Sequence, residues 1–548
     1  MSSDEICPEC NQEYNGIWCK PCNSKHFQND FNNWTSGNDE IDKFIQDAQL
    51  NANLDWQVIE WIPYDGFKDV KQIGKGGFGT IHYARWIDGD IEEWDIENQQ
   101  WKRYSEDKKV VLKKFDNFVN FNDVLNEMEI HLKTYTKHNA SIKFYGITQD
   151  PETLSYMMVL RYANDGNLRE YLKINFNNIN WKQKLCNLRE LSYKLMNVHK
   201  LDIVHQDFHP GNILSYNFEN PILMYISDFG LSKLIGANPN NPEKKNIVGV
   251  LPYIAPEVLS GEKEYTKAAD VYSFGIIAYE IVTGFPPYPD IPHDKDLAIE
   301  ICNGLRPKIP FHTPKFITRI IMRCWDARVT HRPTFNELYN ELRKYSNDYF
   351  YYFNEGRNQD SEIVIQIKKA EEFSANQETT NATTTTPLNY QTHPQAIYTS
   401  RLLNYSKLPK PKNEENFERE LKKNIQKLLI IIMRCWDARV THRPTFNELY
   451  NELRKYSNDY FYYFNEGRNQ DSEIVIQIKK AEEFSANQET TNATTTTPLN
   501  YQTHPQAIYT SRLLNYSKLP KPKNEENFER ELEELTESMS IDSDLIVF

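Results

Sequence analysis

Between about Tyr64 and Tyr345 the apolar positions first follow a strand-like pattern and then recur at helical spacing, which reads as two lobes. TIHYARW and KKVVLKKF are strand segments. FNDVLNEMEIHLKTY is helical, with Val124, Met128 and Leu132 on one face. Ahead of the lobes, Asp39–Leu50 places Ile41, Phe44, Ile45 and Ala48 on one side of a short helix, with Ser36 or Asn38 as its cap. That helix is expected to lie in a linker over residues 30–63. Beyond Tyr345 the periodicity gives way to Tyr/Asn-rich and Thr-rich stretches such as ATTTTPLN, expected to be extended or disordered.

An internal repeat dominates the second half. Residues 320–421 recur unchanged at 431–532, offset by 111 positions. Solenoid units diverge and are shorter, so a recent duplication or an error in the gene model accounts for the repeat better. Copy two begins inside the helical lobe and repeats only its last helices and the tail. Its apolar run LLIIIMRCW (428–436) has no lobe beneath it, and loose order is expected there. The expected organisation is a cysteine-rich module over 1–29, a linker over 30–63 and the two-lobed domain over 64–345. A tail and junction over 346–430, the duplicate over 431–532 and an acidic end over 533–548 complete it.

Composition narrows the setting. The net charge of −14 argues against non-specific binding to nucleic acid or anionic membranes. No run reaches the roughly 18 apolar residues of a membrane span, and no apolar leader opens the chain. Of eight cysteines four are clustered and four scattered, which suits a reducing, cytoplasmic compartment. The cluster CPECNQEYNGIWCKPC sets Cys7, Cys10, Cys19 and Cys22 as two C-x-x-C pairs, the donor set of a structural Zn²⁺. A redox role, which needs one such pair, is the alternative. Met1 to Asp65 holds twelve Asp/Glu and three Lys/Arg, so the module is expected to be structural or protein-facing, with nucleic acid disfavoured.

The remaining chemistry is phosphate handling. In IGKGGFGTIHYARW, Gly74, Gly76 and Gly79 form a G-x-G-x-x-G set between two strand-like segments, and no helix opens after it. That disfavours a dinucleotide loop, although the motif alone is weak. Lys113 in KKVVLKKF can reach nucleotide phosphates, and Glu127, more than Glu129, can face inward to pair with it. IVHQDFHPGNIL and MYISDFGLSK then present Asp207, Asn212 and Asp228, a carboxylate to orient an attacking hydroxyl and oxygen ligands for Mg²⁺. Any one of these could be a turn-capping residue; their joint order makes coincidence a poor account.

The ordered set Gly74, Gly76, Gly79, Lys113, Glu127, His205–Asn212, Asp228-Phe229-Gly230, Ala255-Pro256-Glu257, Asp270 and Arg332 resembles the eukaryotic-type protein kinases over residues 67–345. The resemblance implies an α+β bilobal fold with ATP between the lobes, Mg²⁺ on Asn212 and Asp228, and protein substrates. It implies Asp207 as the catalytic carboxylate, assisted by Lys113 and Glu127. It assigns Leu160 as gatekeeper, the backbone of Arg161 and Ala163 to the adenine, Ile81 and Val111 to the ceiling over the base and Leu214 to its floor. His205 and Phe229 are structural, Asp270 anchors the catalytic loop, and Glu257 pairs with Arg332. The cysteine module, NSKHFQNDFNNWTSGN and the AIYTSRLLNYSKLPKPKN tail are similar to a lineage-expanded fungal family of tyrosine-kinase-like Ser/Thr kinases.

The chain departs from the pattern at three places. Gln206 stands where the family usually has an arginine that grips a phosphorylated activation loop, and that loop offers only Ser232 and Tyr253 as hydroxyls. Activity without activation-loop phosphorylation is the expectation. His209 replaces the lysine of Ser/Thr kinases, and Val250 a common threonine. Pro252 in GVLPYIAPE favours Ser/Thr over Tyr as acceptor. Since Lys113, Asp207 and Asp228 are all present, an active enzyme is expected over a pseudokinase scaffold. An insertion between Trp86 and Lys109, carrying Trp94 and Trp101, is expected as an extended hairpin reaching beyond the small lobe without a role.

Overall fold

Apolar faces at period two and period three-and-a-half must each find a cover, and the way they do so fixes the layers. In the computed structural model the described residues are 5–14, 16–76, 79–104, 107–115, 121–234, 247–359, 361–378, 392–403, 405, 408–414, 435, 443–451, 453–454 and 457. They belong to two units, Met1–Glu414 and Glu415–Phe548.

In the first unit a short hairpin of β1 (Glu5–Ile6) and β2 (Glu13–Tyr14) leads to α1 (Lys20–Asp30) and α2 (Asp39–Asn51). Strands β3 (Glu60–Trp61), β4 (Phe67–Gly76) and β5 (Gly79–Trp86) follow, then a separate hairpin of β6 (Ile91–Asp95) and β7 (Gln100–Arg103). Next come β8 (Lys108–Phe115), helix α3 (Phe121–His138), β9 (Phe144–Gln149) and β10 (Tyr156–Arg161). These strands make a six-stranded sheet in the order β3-β9-β10-β8-β5-β4, antiparallel except for β3 against β9.

The larger lobe starts with α4 (Leu168–Asn175) and α5 (Trp181–Lys200). Short strands β11 (Ile203–Val204), β12 (Ile213–Ser215), β13 (Met224–Ile226), β14 (Lys233–Leu234) and β15 (Ile247–Gly249) shape the cleft floor. Helices α6 (Pro256–Leu259), α7 (Lys267–Thr283), α8 (Lys295–Cys302), α9 (Lys315–Cys324), α10 (Phe335–Glu355) and α11 (Glu362–Glu378) and strand β16 (Arg401–Leu403) complete the unit. Every residue of α7 from Ala269 to Thr283 is buried, which makes it the centre of the lobe. The chain is α+β, with a cysteine cluster at its N-terminal end.

Three expectations need correction. α2 forms where predicted, capped by Asn38, whose side chain accepts from the Glu40 and Ile41 N–H groups. It is not in a linker: Ile41 and Ile45 are fully buried in one core with Ile59, Met128, Phe144 and Met158. A 13-residue helix with an apolar face gains its stability from such packing rather than from propensity. The insertion is a hairpin, but it folds back instead of reaching outward. Trp94 stacks on His26 at 3.9 Å between ring centres, and Trp101 on Phe27 at 4.4 Å. Two indoles on one hairpin carry too much apolar area to leave in water.

The tail differs as well. α10 continues past Tyr345 to Glu355, and Tyr349 is buried with its hydroxyl on Glu371 of α11 at 3.1 Å. Residues 392–403 and 408–414 lie along the large lobe, tied by backbone bonds such as His293 N–H to Gln395 O and Lys412 N–H to Cys302 O, both 2.9 Å. The ATTTTPLN stretches, almost all of LLIIIMRCW and the acidic end lie outside the described residues. In the second unit Thr445 and Glu448 cap a helix start reciprocally, as Thr334 and Glu337 do in copy one. Among the described residues no helix is long and apolar enough to cross a membrane.

Replacing Ile45 by Ala is expected to lower stability by about 2–5 kcal/mol in chemical denaturation, as for other buried Ile→Ala changes. A loss below about 0.5 kcal/mol, the range of exposed positions, would return α2 to a linker.

Candidate active site

Gly74, Gly76 and Gly79 line the turn of the β4–β5 hairpin, with Gly74 opposite Ile81 and Gly76 opposite Gly79. Gly79 has φ +157°, and a Cβ there would stand 2.0 Å from the Lys114 carbonyl oxygen of β8. Only glycine lets β5 lie that close. In the β5–β8 register Ile81 is opposite Lys113, so the lysine sits below the hairpin. Its Nζ contacts Glu127 Oε1 of α3 and lies 2.8 Å from Asp228 Oδ1. Glu129 is instead on the outer face of α3, paired with exposed Lys133 at 2.5 Å. Burial alone would push the Lys113 amine down; the charges of Asp228 and Glu127 outweigh that and hold it above the ordinary lysine range.

Asp270, near the start of α7, is the anchor of the loop after β11. Its carboxylate accepts from the backbone N–H of His205 at 2.9 Å and of Gln206 at 3.2 Å, and meets His199 Nε2 at 2.9 Å. Gln206 is held at φ +68° and Asp228 at φ +62°, both in the left-handed region. Asn212 donates its amide N–H to the Asp207 carbonyl at 2.9 Å. Burial would raise the Asp207 carboxyl, but His209 and a hydroxyl of Ser400 bring it below the usual carboxylate value. Phe229 is fully buried between His131 and His205, with ring centres 5.5 and 5.0 Å away. Gly230 is a close approach too, since a Cβ there would be 3.0 Å from Glu127 Oε2.

The base-pocket candidates come together. Val111 and Leu214 pack on the same cluster as Leu160 and Ala163. Ile81 lies beside Gly74, whose Cβ position is 3.7 Å from that of Ile81. The Arg161 N–H is taken by the Lys143 carbonyl at 3.0 Å. Deeper in the large lobe, Arg332 and Glu257 are joined by two N–H···O bonds of 2.7 Å, with both side chains buried.

Both hydroxyls of the activation segment are enclosed. Ser232 Oγ donates to the His205 carbonyl at 3.0 Å, and Tyr253 donates to Glu280 Oε2 at 2.5 Å while accepting from Arg169 at 2.8 Å. Residues 235–246 of that segment lie outside the described residues. The group that sequence reasoning did not supply is Ser400. Its hydroxyl donates to Asp207 Oδ2 at 2.5 Å and lies 3.2 Å from His209 Nε2. No periodicity marks it, because residues 392–403 take their shape from the lobe they lie on.

At the other end of the unit the four cysteine sulfurs lie within 4.8 Å of one another. Cys7 and Cys22 are 3.7 Å apart and Cys10 and Cys19 3.6 Å, and all four are free thiols. Four sulfurs at about 2.3 Å from one centre would have edges near ~3.8 Å, so the cluster fits a tetrahedral metal.

Comparison with known proteins bears on the same residues. A family model described as protein tyrosine and serine/threonine kinase matches residues 67–342, half of the chain. The tyrosine-protein kinase SPK-1 of Girardia tigrina is 28% identical over 284 residues, 50% of this chain and 52% of its own length. The probable serine/threonine-protein kinase roco5 of Dictyostelium discoideum is 29% identical over 297 residues, 51% of this chain and 10% of its own. The dual specificity protein kinase splA of the same organism is 28% identical over 299 residues, covering 52% and 12%. The chain thus spans about half the length of the first of these relatives and about a tenth of the other two.

Proposed function

Because the chain belongs to the protein tyrosine and serine/threonine kinase family, we propose that it transfers the γ-phosphate of ATP to serine or threonine hydroxyls of proteins. The observation that carries this reading is the buried Lys113–Glu127–Asp228 network set beneath the glycine hairpin and beside Asp207 and Asn212. Lys113 holds the α and β phosphates, and Glu127 holds Lys113. Asp207 orients the acceptor hydroxyl and takes its proton. Asn212 gives its amide N–H to Asp207, which leaves its amide oxygen to serve a cation. Mg²⁺, bound there by Asp228 and Asn212, would neutralise charge on the phosphates. Arg161, its N–H already used by Lys143, would meet the adenine through its carbonyl, and Ala163 through its backbone, with Ile81, Val111, Leu160 and Leu214 around the base.

Serine or threonine is favoured as acceptor by the aliphatic hydroxyl of Ser400 seated between Asp207 and His209. His209 occupies the place at which a Ser/Thr kinase usually has lysine, and Nε2 stands 3.6 Å from Asp207 Oδ2. Tyrosine is the second reading, on the ground that a relative bears that name. Activity independent of activation-loop phosphorylation follows from Gln206 and from the enclosed hydroxyls of Ser232 and Tyr253. The fungal affinity, a cytoplasmic signalling role and structural Zn²⁺ on Cys7, Cys10, Cys19 and Cys22 belong to the same proposal. The free, clustered thiols support the zinc and the reducing setting.

Incubated with Mg·ATP and generic Ser/Thr and Tyr peptides, the Asp207→Ala variant is expected to be slower than wild type by about 10²–10⁴-fold. Equal incorporation by both proteins removes the enzyme reading, and preference for the Tyr peptide reverses the acceptor class. Removal of any phosphate from residues 231–254 is expected to leave the wild-type rate unchanged; a loss of activity mapped to those residues defeats independence from activation-loop phosphorylation. For the metal, elemental analysis is expected to find one zinc per chain, absent from a Cys10→Ser/Cys22→Ser variant and accompanied by a lower melting temperature. A metal content below 0.1 per chain in wild type, against the ~1 expected of a closed four-thiolate site, argues for the redox alternative.

A further inference from the structure

Residues 392–403 lie outside the part of the chain matched by the kinase family, yet they reach its centre. β16 pairs antiparallel with β15, setting Arg401 opposite Gly249 and Leu402 opposite Val248. β15 lies in the activation segment, with Val250 and Leu251 between it and Pro252 and Tyr253. Main-chain pairing to an exposed edge is how an extended peptide is recognised without regard to its side chains. One residue before this pairing, the Ser400 hydroxyl is 2.5 Å from Asp207 Oδ2 and 3.2 Å from His209 Nε2. A hydroxyl within hydrogen-bond reach of the base is the geometry that proton transfer demands.

The seat is fixed from both sides. Before Ser400, Tyr398 donates its hydroxyl to the Pro287 carbonyl at 2.9 Å, and its ring lies beneath the Arg169 guanidinium at 4.6 Å. His293 Nδ1 meets the Ile397 carbonyl at 2.9 Å. After it, Leu403 is buried, and Asn413 accepts from the Ala327 N–H at 2.7 Å. The strap is therefore tied at several points along its length, with the serine where an acceptor belongs.

We propose that residues 392–414 are a tethered substrate, and that Ser400 accepts the γ-phosphoryl group of Mg·ATP from its own active site. This rests on the kinase reading above. Asp207 takes the Ser400 proton as the Oγ–P bond forms. The bond from the γ-phosphorus to the β,γ-bridging oxygen breaks, and ADP leaves with that electron pair. Until then the strap excludes other peptides from the same seat. Phosphate on Ser400 adds about −1.5 to −2 charges beside buried Asp207, and repulsion expels the strap. The duplication preserves the segment: AIYTSRLLNYSKLPKPKN recurs with Ser511 in the place of Ser400. One active site thus carries two copies of its own substrate on one chain.

Ser400 and Ser511 fall in identical tryptic peptides, so the test uses the full chain with Ser511→Ala. With Mg·ATP, mass spectrometry is expected to find phosphate on Ser400, at a per-molecule rate unchanged by dilution. Ser400→Ala on that background, and Asp207→Ala, should abolish it. Leu402→Pro, which breaks the β15–β16 pairing, should lower Ser400 phosphorylation at least ~10-fold. It should also lower the KM for an exogenous Ser/Thr peptide about tenfold, since a tethered competitor acts at an effective concentration in the millimolar range. Without nucleotide, hydrogen exchange should show the amides of 247–249 and 401–403 protected in the parent and open in Leu402→Pro. An exogenous peptide phosphorylated while Ser400 stays unmodified overturns the tethered substrate and leaves the kinase reading standing. No phosphate on either overturns both. A rate that falls with dilution, or amides open in the parent, overturns the seat within one chain.

Discussion

The Lys113 ammonium is the point on which the structure turns. It is almost fully buried, and two carboxylates from distant parts of the chain converge on it, Glu127 from α3 and Asp228 from the end of the β12–β13 hairpin. One cation holds two carboxylates that would otherwise repel each other; removal of Lys113 leaves buried Glu127 without a counter-charge, at a cost of about 3–5 kcal/mol. The contact therefore fixes the position of α3 against the sheet and of the small lobe against the large one. Asp228 in its left-handed conformation and Phe229 locked between His131 and His205 are the large lobe's side of the same constraint.

Glu127 can hold its place only if α3 is held, and much of that support comes from ahead of the kinase-matched residues. Met128 and Val124 of α3 share a core with Ile41 and Ile45 of α2. α2 in turn receives the cysteine module: Trp18 Nε1 donates to the Ala52 carbonyl at 3.2 Å and Ser24 to the Leu50 carbonyl at 3.1 Å. The β6–β7 hairpin closes the group by stacking Trp94 and Trp101 on His26 and Phe27. The apolar surface of the insertion and the apolar face of the helix have the same explanation, since each covers the other's neighbour.

The large lobe shows the complementary arrangement. Asp270 holds the loop after β11 through backbone N–H groups, which side-chain changes at Gln206 do not disturb. Position 206 can therefore lose its arginine without loss of the loop. Tyr253 and Ser232 put their hydroxyls to structural use, against Glu280 and the His205 carbonyl. With the segment's own hydroxyls committed, the free edge of β15 and the seat between Asp207 and His209 are where another part of the chain can act, and the strap lies there.

How much of this was legible in advance depends on the range of the forces involved. Motif spacing singled out Lys113, Asp207, Asn212, Asp228 and the glycine hairpin, and the fold joins Lys113 to Asp228 and Asn212 to Asp207, because local backbone on either side of the cleft presents them. Helical periodicity distinguished Glu127 from Glu129, and C-x-x-C spacing brought four sulfurs together, since both depend on neighbours a few residues away. The sequence by itself also located α2 and narrowed its cap to Ser36 or Asn38, of which the structure uses Asn38. Only the tertiary structure decided what covers α2, where the tryptophans of the insertion go and how far α10 runs, because each is settled by an apolar surface dozens to hundreds of residues distant. Ser400 is the clearest case: it lies 193 positions from Asp207, in a segment without periodicity, and its place comes wholly from the lobe on which the chain is laid.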